Sequence, residues 1–162
     1  MSLKLLSSKT IIYHIILFIL FCISVNHFND LKFINYVAYV FFHLTLIYLV
    51  FYYFSFILFF IFFTYGVLLD FFLINYISPH LISFLSFILL FYFTKKYLLN
   101  FSSNKISYII FFSILIMFIE ESLLAKILFN YPFKFDDLGW LIITTIAIFF
   151  PSLLLFSRID KL

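Results

Sequence analysis

No charged residue occurs between Lys32 and Asp70, and the apolar sequence continues to about Ile74. A membrane-spanning helix needs about 20 mostly apolar residues, so this stretch of some forty residues is too long for one span and suits two. Backbone polar groups in hydrocarbon must be paired within the protein, which leaves helices or a closed barrel. The apolar runs lack the alternation of a barrel strand. The sequence therefore predicts membrane-spanning helices.

The composition excludes most other classes of protein. The chain is 67% hydrophobic and only 10% charged, whereas a soluble domain is about half apolar and a quarter charged. Its two glycines cannot form a glycine-rich phosphate loop, and the single cysteine, Cys22, cannot form a disulfide or a thiolate metal cage. The net charge of +3 gives no basic footprint for nucleic acid. We expect an integral membrane protein without a cofactor or a metal site.

The apolar runs predict an all-α, polytopic membrane fold of six helices in one domain, residues 1–162. A reversal near residues 53–55 divides the forty-residue stretch into two spans. Ser78 as N-cap and Pro79 as first helical residue predict the start of the fourth helix. The predicted helices are 10–28, 32–52, 54–74, 79–98, 106–128 and 138–157.

The distribution of Lys and Arg predicts the orientation. With six spans both termini lie on one side, and that side receives seven basic residues: Lys4, Lys9, Lys95, Lys96, Lys105, Arg158 and Lys161. The other side receives Lys32 and Lys134, with Lys126 near the end of the fifth helix. The positive-inside rule therefore places both termini in the cytoplasm. The first helix lacks a small-x-small cleavage site, so we expect it to remain uncleaved.

Asp70 lies near the predicted outer end of the third helix, about 6 Å deep at 1.5 Å per residue. Gly66 lies one turn earlier on the same face. A glycine there allows another helix to approach closely, and Asp70 can then reach a partner at short range. The alternative interpretation is that Asp70 is a solvated interfacial side chain.

Glu120 and Glu121 lie about 11 Å inside the predicted fifth helix. Lys126 follows at a spacing that does not place it on their face, so they need another helix, water or a proton. Because neighbouring side chains point about 100° apart, at most one of the two acids readily faces a given neighbour. We predict a polar cluster of Asp70, Glu120, Glu121 and Lys126 between the third and fifth helices, facing the periplasmic side, with His80 and Lys134 just beyond it. The alternative is a single packing ion pair.

The remaining unusual positions favour structural roles. His14 and His43 stand alone in their helices and are interpreted as satisfied neutral imidazoles, and Cys22 as a small apolar group. Pro151 interrupts the sixth helix and predicts a kink near residues 146–150. We predict that Asp136 or Asp137 caps the start of this helix. We also predict that Thr144 and Thr145 donate hydrogen bonds to the carbonyls that the proline leaves without a partner.

Three segments resemble a known family. Residues 66–70, Gly-Val-Leu-Leu-Asp at the end of a third helix, resemble the G-L-x-x-D segment of MreD, the rod shape-determining membrane protein. Residues 46–48 are similar to its second helix. Residues 136–158, with Pro151 inside and Arg158 at the end, are similar to its last helix. The chain departs from the family at residues 75–80, where a glycine is usual, and at residues 32–35, where a proline is frequent.

The resemblance implies a role without chemistry. MreD-like proteins lie in the bacterial inner membrane and work with MreC, a bitopic periplasmic protein, and with the MreB filament, here through indirect contact. The larger assembly includes RodZ, RodA and a penicillin-binding transpeptidase, and it directs lateral peptidoglycan synthesis. By analogy, Gly66 and Asp70 shape a docking or stability feature, and membrane lipid surrounds the protein.

Two other functions compete with this one. The MreD fold is similar to the substrate-binding subunits of energy-coupling-factor vitamin transporters, but those carry an Ala-x-x-x-Ala motif that the first helix lacks, and their outer loops are long. A membrane enzyme would need Glu120, Glu121 and a histidine at one depth, whereas the sequence spreads them over several. We therefore expect a non-enzymatic subunit.

Overall fold

A computed structural model describes residues 8–26, 32–74, 78–98, 100–129 and 135–161. Within these ranges the chain forms helices and no strand. The third helix ends in one wider π-helical turn, Asp70–Ile74. The helices are α1 (Ser8–Val25), α2 (Lys32–Tyr53), α3 (Ile57–Leu69, continued by the π turn), α4 (Pro79–Leu98), α5 (Ser103–Phe129) and α6 (Phe135–Ile159).

The described helices confirm an all-α, multi-pass membrane protein. Five of them, α2 to α6, are long and apolar enough to cross a membrane. The first, α1, has 18 residues and is also apolar. Since the hydrocarbon core is about 30 Å thick and a helix rises about 1.5 Å per residue, α1 reaches nearly the whole thickness.

Two predicted boundaries are confirmed closely. The reversal between the second and third helices lies where the forty-residue stretch was divided, because α2 ends at Tyr53 and α3 begins at Ile57. The backbone N–H of Leu58 donates to the Ser55 carbonyl at 3.0 Å and closes this turn. Helix α4 begins at Pro79, as predicted.

Other boundaries differ by a few residues. Helix α1 ends at Val25, and the rest of its predicted end, residues 27–28, lies outside the described residues. Helix α5 begins at Ser103, because polar residues are tolerated in a first turn. Helix α6 begins at Phe135, so Asp136 and Asp137 lie inside its first turn and do not precede it as caps. Carboxylates in a first turn interact favourably with the positive end of the helix dipole. Asp137 also accepts a hydrogen bond from the Tyr36 hydroxyl at 2.6 Å.

Helix α2 is the centre of the bundle. Its residues 42–50 are all buried, so this part of the helix is enclosed on every face. A helix that is apolar and buried all round belongs to the interior of a protein. Helix α2 packs against α1, α5 and α6, while α3 packs on α4 and α4 on α5.

Helix α6 continues through Pro151, which is exposed on the outside of the bundle. The predicted roles of the two threonines are wrong. Thr145 donates to the Leu141 carbonyl at 2.7 Å, and the Thr144 hydroxyl has no hydrogen-bond partner among the described residues. A threonine in a helix bonds a carbonyl that precedes it, whereas Pro151 frees the carbonyl of Ala147, which follows both threonines.

A group of polar contacts joins the helices at the end of the bundle opposite Asp70. Three tyrosine hydroxyls donate to the Asp160 carboxylate: Tyr13 at 2.8 Å, Tyr53 at 2.6 Å, and Tyr48. Lys9 donates to the backbone carbonyl of Asp160. These five residues, the Asp160 cluster, join α1, α2 and the end of α6.

We expect Asp160→Ala to lower the free energy of unfolding by about 1–3 kcal/mol, because three phenols lose a charged acceptor. The melting temperature in detergent measures this loss. Arg158→Ala, an exposed change on the same helical turn, serves as control and should have little effect. Equal melting temperatures for the two variants would contradict the role of the Asp160 cluster.

Candidate functional site

Gly66 marks the closest approach of α3 to α4. A Cβ atom added to Gly66 would lie 2.8 Å from the Leu81 Cα and 3.2 Å from the Leu81 backbone nitrogen. Real Cβ atoms do not come that close to backbone atoms, so a larger residue would force the helices apart. Small residues allow such close contacts between membrane helices. The prediction that Gly66 admits a neighbouring helix is confirmed, and that helix is α4.

The close approach brings the Asp70 carboxylate to the N-terminus of α4. Its Oδ2 accepts the backbone N–H groups of Ser78 at 2.8 Å and Leu81 at 3.1 Å. Its Oδ1 accepts the backbone N–H of His80 at 2.9 Å and the His80 ring Nδ1 at 2.7 Å. Asp70 is therefore a capping residue that belongs to another helix.

The capping of α4 is complete. The first N–H groups of a helix have no partner within the helix itself. Here the N–H groups of Ser78, His80 and Leu81 donate to Asp70, and Pro79 has no N–H group to satisfy. The next, from Ile82, donates to the Ser78 carbonyl at 2.9 Å. A carboxylate at this position also suits the positive end of the helix dipole.

From Asp70 a chain of hydrogen bonds continues through the bundle. The His80 Nε2 lies 2.9 Å from the Tyr39 hydroxyl, which donates to the Glu121 Oε2 at 2.7 Å. The Glu121 Oε1 lies 3.0 Å from the His43 Nε2. The chain ends at the His43 Nδ1, 2.9 Å from the Tyr39 carbonyl. We call Asp70, His80, Tyr39, Glu121 and His43 the buried network.

The buried network lies deep among apolar side chains. Asp70 and His43 are 0% exposed, and His80 and Glu121 are 5% and 6% exposed. Phe84 and Phe118 meet the His43 ring edge-on at 5.2 and 5.0 Å between centroids. Such groups are costly to bury unless each finds a partner, which explains why they form one connected set.

Chemically, the network pairs acids with imidazoles. It contains two ion-pair contacts, Asp70 with His80 and Glu121 with His43. Within the described ranges, no three His, Cys, Asp or Glu side chains converge so that they could hold a metal ion. The arrangement can therefore fix helices relative to one another, and it can hold protons.

The structure separates the sequence-predicted residues into two groups. Gly66, Asp70 and Glu121 lie at the end of the bundle where α3 ends and α4 begins, which we call the Asp70 end. Asp70 and Glu121 do not touch directly but are joined through α4 and α2. The others lie outside the network: Glu120, Lys126, Pro151 and Arg158.

The two adjacent acids face different neighbours, as their angular separation predicted. Glu121 is buried in the network, whereas Glu120 is half-buried and accepts a hydrogen bond from the Ser86 hydroxyl at 2.9 Å. Lys126 is exposed in the last turns of α5.

The sequence interpretation missed most of the network. His43 was expected to be a lone, satisfied imidazole, but it contacts Glu121. His80 was placed just beyond the membrane, and Tyr39 was one of many tyrosines. The sequence contained one signal that could have identified them, the depth of each residue along its helix. The predicted helices place Tyr39, His43, His80 and Glu121 in the same half of the membrane. Asp160 had no signal of this kind, because it resembles an ordinary residue at a chain end.

In comparisons with known proteins, no family model, curated protein or solved structure matches the chain. Its own contacts therefore carry the assignment of the site.

We expect Gly66→Ala to lower the free energy of unfolding by about 1–3 kcal/mol, because the new methyl group overlaps the backbone of Leu81. Gly139→Ala is the matched control, since nothing lies within 4 Å of a Cβ there. That change should be neutral or stabilising, because alanine favours a helix by up to about 1 kcal/mol. Thermal unfolding in detergent compares the two. A Gly66→Ala protein as stable as Gly139→Ala would show that α3 and α4 do not touch here.

Asp70→Asn should lower the free energy of unfolding by about 2–4 kcal/mol. An amide offers one oxygen where the carboxylate offers two, and its NH₂ group would face N–H donors of α4. Glu120→Gln removes a carboxylate outside the network and should cost little. Thermal unfolding of both variants measures the difference, and equal stabilities would argue against Asp70 as the cap of α4.

Proposed function

We propose that this chain is an MreD-like, non-enzymatic subunit of a bacterial cell-elongation complex in the inner membrane. In this role it docks an MreC-like bitopic partner and supports lateral peptidoglycan synthesis. The observation that carries the proposal is the joint between α3 and α4. The same residues that resemble the MreD segment, Gly66 and Asp70, build a close helix contact and a complete cap.

This joint favours a structural role over a chemical one. All the acceptor positions of Asp70 are taken by N–H groups of its own chain, so the carboxylate offers nothing to a substrate. A joint of this kind holds two helices at a fixed angle. A scaffold subunit needs that property, because its partners bind a surface whose shape must not change.

The charge distribution supports the proposed orientation. Among the described Lys and Arg residues, two belong to the Asp70 end, Lys32 and Lys126. The positive-inside rule favours the other end as the cytoplasmic one, together with both termini. The basic residues at that end are Lys9, Lys95, Lys96, Lys105, Arg158 and Lys161. Contact with an MreB filament would be indirect, while RodZ, RodA and a penicillin-binding transpeptidase belong to the larger complex.

The surface around Glu120 suits a bitopic partner. Glu120 borders a shallow apolar groove on α5, lined by Ile116, Ile119, Leu123 and Leu124. The Ser86 hydroxyl supplies one hydrogen bond to Glu120. At membrane depth the other acceptor positions of a half-buried carboxylate also need a donor or a cation, and lipid tails supply neither. A single transmembrane helix with a donor side chain at the same depth complements this surface in both shape and charge. We therefore assign the Glu120 groove to the partner's transmembrane helix.

We expect Glu120→Gln to reduce co-purification of the bitopic partner several-fold, because the amide has no charge to pair with a donor in hydrocarbon. Asp136→Asn, an exposed acid on α6, is the charge-matched control and should leave the complex intact. The yield of partner per subunit, measured after purification in mild detergent, compares the variants. Unchanged yield with Glu120→Gln would move the docking surface elsewhere.

Depletion of this protein in a rod-shaped host should make the cells round, because lateral wall synthesis would lose its organising subunit. Light microscopy of cell width and length measures the effect, and re-expression of the wild-type chain should restore rods. Normal rods after a clean deletion would reject the cell-shape role, whatever the state of the Glu120 groove.

A further inference from the structure

The geometry of the buried network fixes how many protons it holds. Each of its contacts joins two heavy atoms that need one hydrogen between them. Counting hydrogens from one end to the other therefore gives the number of protons and the net charge of the network. The count uses only the contacts of Asp70, His80, Tyr39, Glu121 and His43, and it does not depend on the cell-shape role.

The count begins at Asp70. Its two oxygens accept four N–H groups, three from the backbone of α4 and one from the His80 ring. No lone pair remains for a proton, so Asp70 is an ionised acceptor. The Nδ1 of His80 consequently carries a hydrogen.

The middle of the chain fixes the other nitrogen of His80. The Tyr39 hydroxyl has one hydrogen, and it donates this hydrogen to the Glu121 Oε2. The His80 Nε2, at 2.9 Å from the same hydroxyl oxygen, must then be the donor in that contact. His80 therefore carries a hydrogen on both ring nitrogens and is an imidazolium.

The same reasoning applies to His43. Its Nδ1 lies 2.9 Å from the Tyr39 carbonyl, which can only accept, so this nitrogen is protonated. Its Nε2 lies 3.0 Å from the Glu121 Oε1. This contact holds one hydrogen, which lies on the His43 ring when Glu121 is a carboxylate and on Glu121 when the ring is neutral.

The charges then sum to zero. With the shared hydrogen on His43, two carboxylates, Asp70 and Glu121, balance two imidazoliums. With that hydrogen on Glu121, Asp70 balances His80 alone, and Tyr39 is neutral in both cases. Neutrality is what burial among apolar rings demands, since an uncompensated charge there is strongly unfavourable. Loss of either proton would leave two lone pairs facing each other and a net negative charge in the membrane.

We propose that the buried network is a proton-binding site that holds two protons, one on each of His43 and His80, as an electrically neutral unit. It stores these protons and does not conduct them. One end is closed by the saturated oxygens of Asp70, and the other by the carbonyl of Tyr39, on the helix that carries His43 itself. The Asp160 cluster lies at the opposite end of the bundle and belongs to a separate set of contacts.

The other titratable groups near the network either bond to different partners, pack against apolar rings or are exposed. Glu120 of α5 pairs with Ser86, and Asp137 of α6 pairs with Tyr36 of α2. Tyr65 of α3 packs its ring against Phe42 at 5.2 Å between centroids. The remaining ionisable residues at this end are exposed: Lys32, Lys126 and Asp136.

Nitrogen-15 NMR of histidine in lipid bilayers tests the proposal directly. The variant H14Q/H27Q leaves His43 and His80 as the only histidines in the sequence and changes no residue of the network. We expect two imidazolium rings at pH 7.5, where a free imidazole is mostly neutral because its ordinary pKa is about 6.5. A neutral ring at either histidine, in a protein that remains folded, would overturn the proposal.

A pair of neighbouring carboxylates supplies the matched control. In the same background, E121Q should reduce the two imidazolium signals to one, because the negative charge that balances His43 is lost. E120Q should leave both signals unchanged. Two imidazoliums in E121Q would show that Glu121 does not hold a proton on His43. Should E121Q fail to fold, the spectrum of the H14Q/H27Q protein alone decides the proton count.

A flux measurement separates storage from conduction. Proteoliposomes that contain the full chain should show no more proton leak than empty vesicles under a pH gradient, because the network is closed at both ends. A leak that E121Q abolishes and E120Q preserves would overturn the closed-ended arrangement.

Discussion

A polar or charged side chain in hydrocarbon must find its partner within the protein, and the interior of this bundle is arranged around that constraint. The buried network satisfies it at the Asp70 end, and the Asp160 cluster satisfies it at the other end. Helix α2 contributes to both, with Tyr39 and His43 in the first and Tyr48 and Tyr53 in the second. The helix that is most buried in packing is therefore also the one that joins the two polar sets.

The joint between α3 and α4 shows how a glycine and an acid act together. Gly66 lets the backbones approach, and only at that distance can Asp70 reach the first N–H groups of α4. Because His80 lies in the capped turn, the joint also positions the ring that begins the chain of hydrogen bonds to Glu121. Helix packing, helix capping and the proton count all depend on this one close contact. A joint of this kind is consistent with the proposed scaffold role.

The sequence predicted the helices well, because the length of an apolar run and the position of turn residues are local properties. It also predicted that Gly66 and Asp70 act together, since a spacing of four residues places both on one face. It did not predict that His80 and Tyr39 lie between Asp70 and Glu121, or that His43 contacts Glu121 from the far side. Depth along a helix can be read from sequence, but the direction a side chain faces requires an amphipathic pattern. Abundant phenylalanine removes that pattern here, because lipid and protein core both accept it.

Hydrogen exchange of the backbone amides at the start of α4 tests the central claim most directly. The amides of Ser78, His80 and Leu81 have no partner within their own helix, so they exchange quickly unless something else accepts their hydrogens. With Asp70 as the acceptor, all of them should exchange slowly in the folded wild-type protein and quickly in Asp70→Asn. Fast exchange of these amides in folded wild-type protein would contradict the joint, and with it the network that begins there.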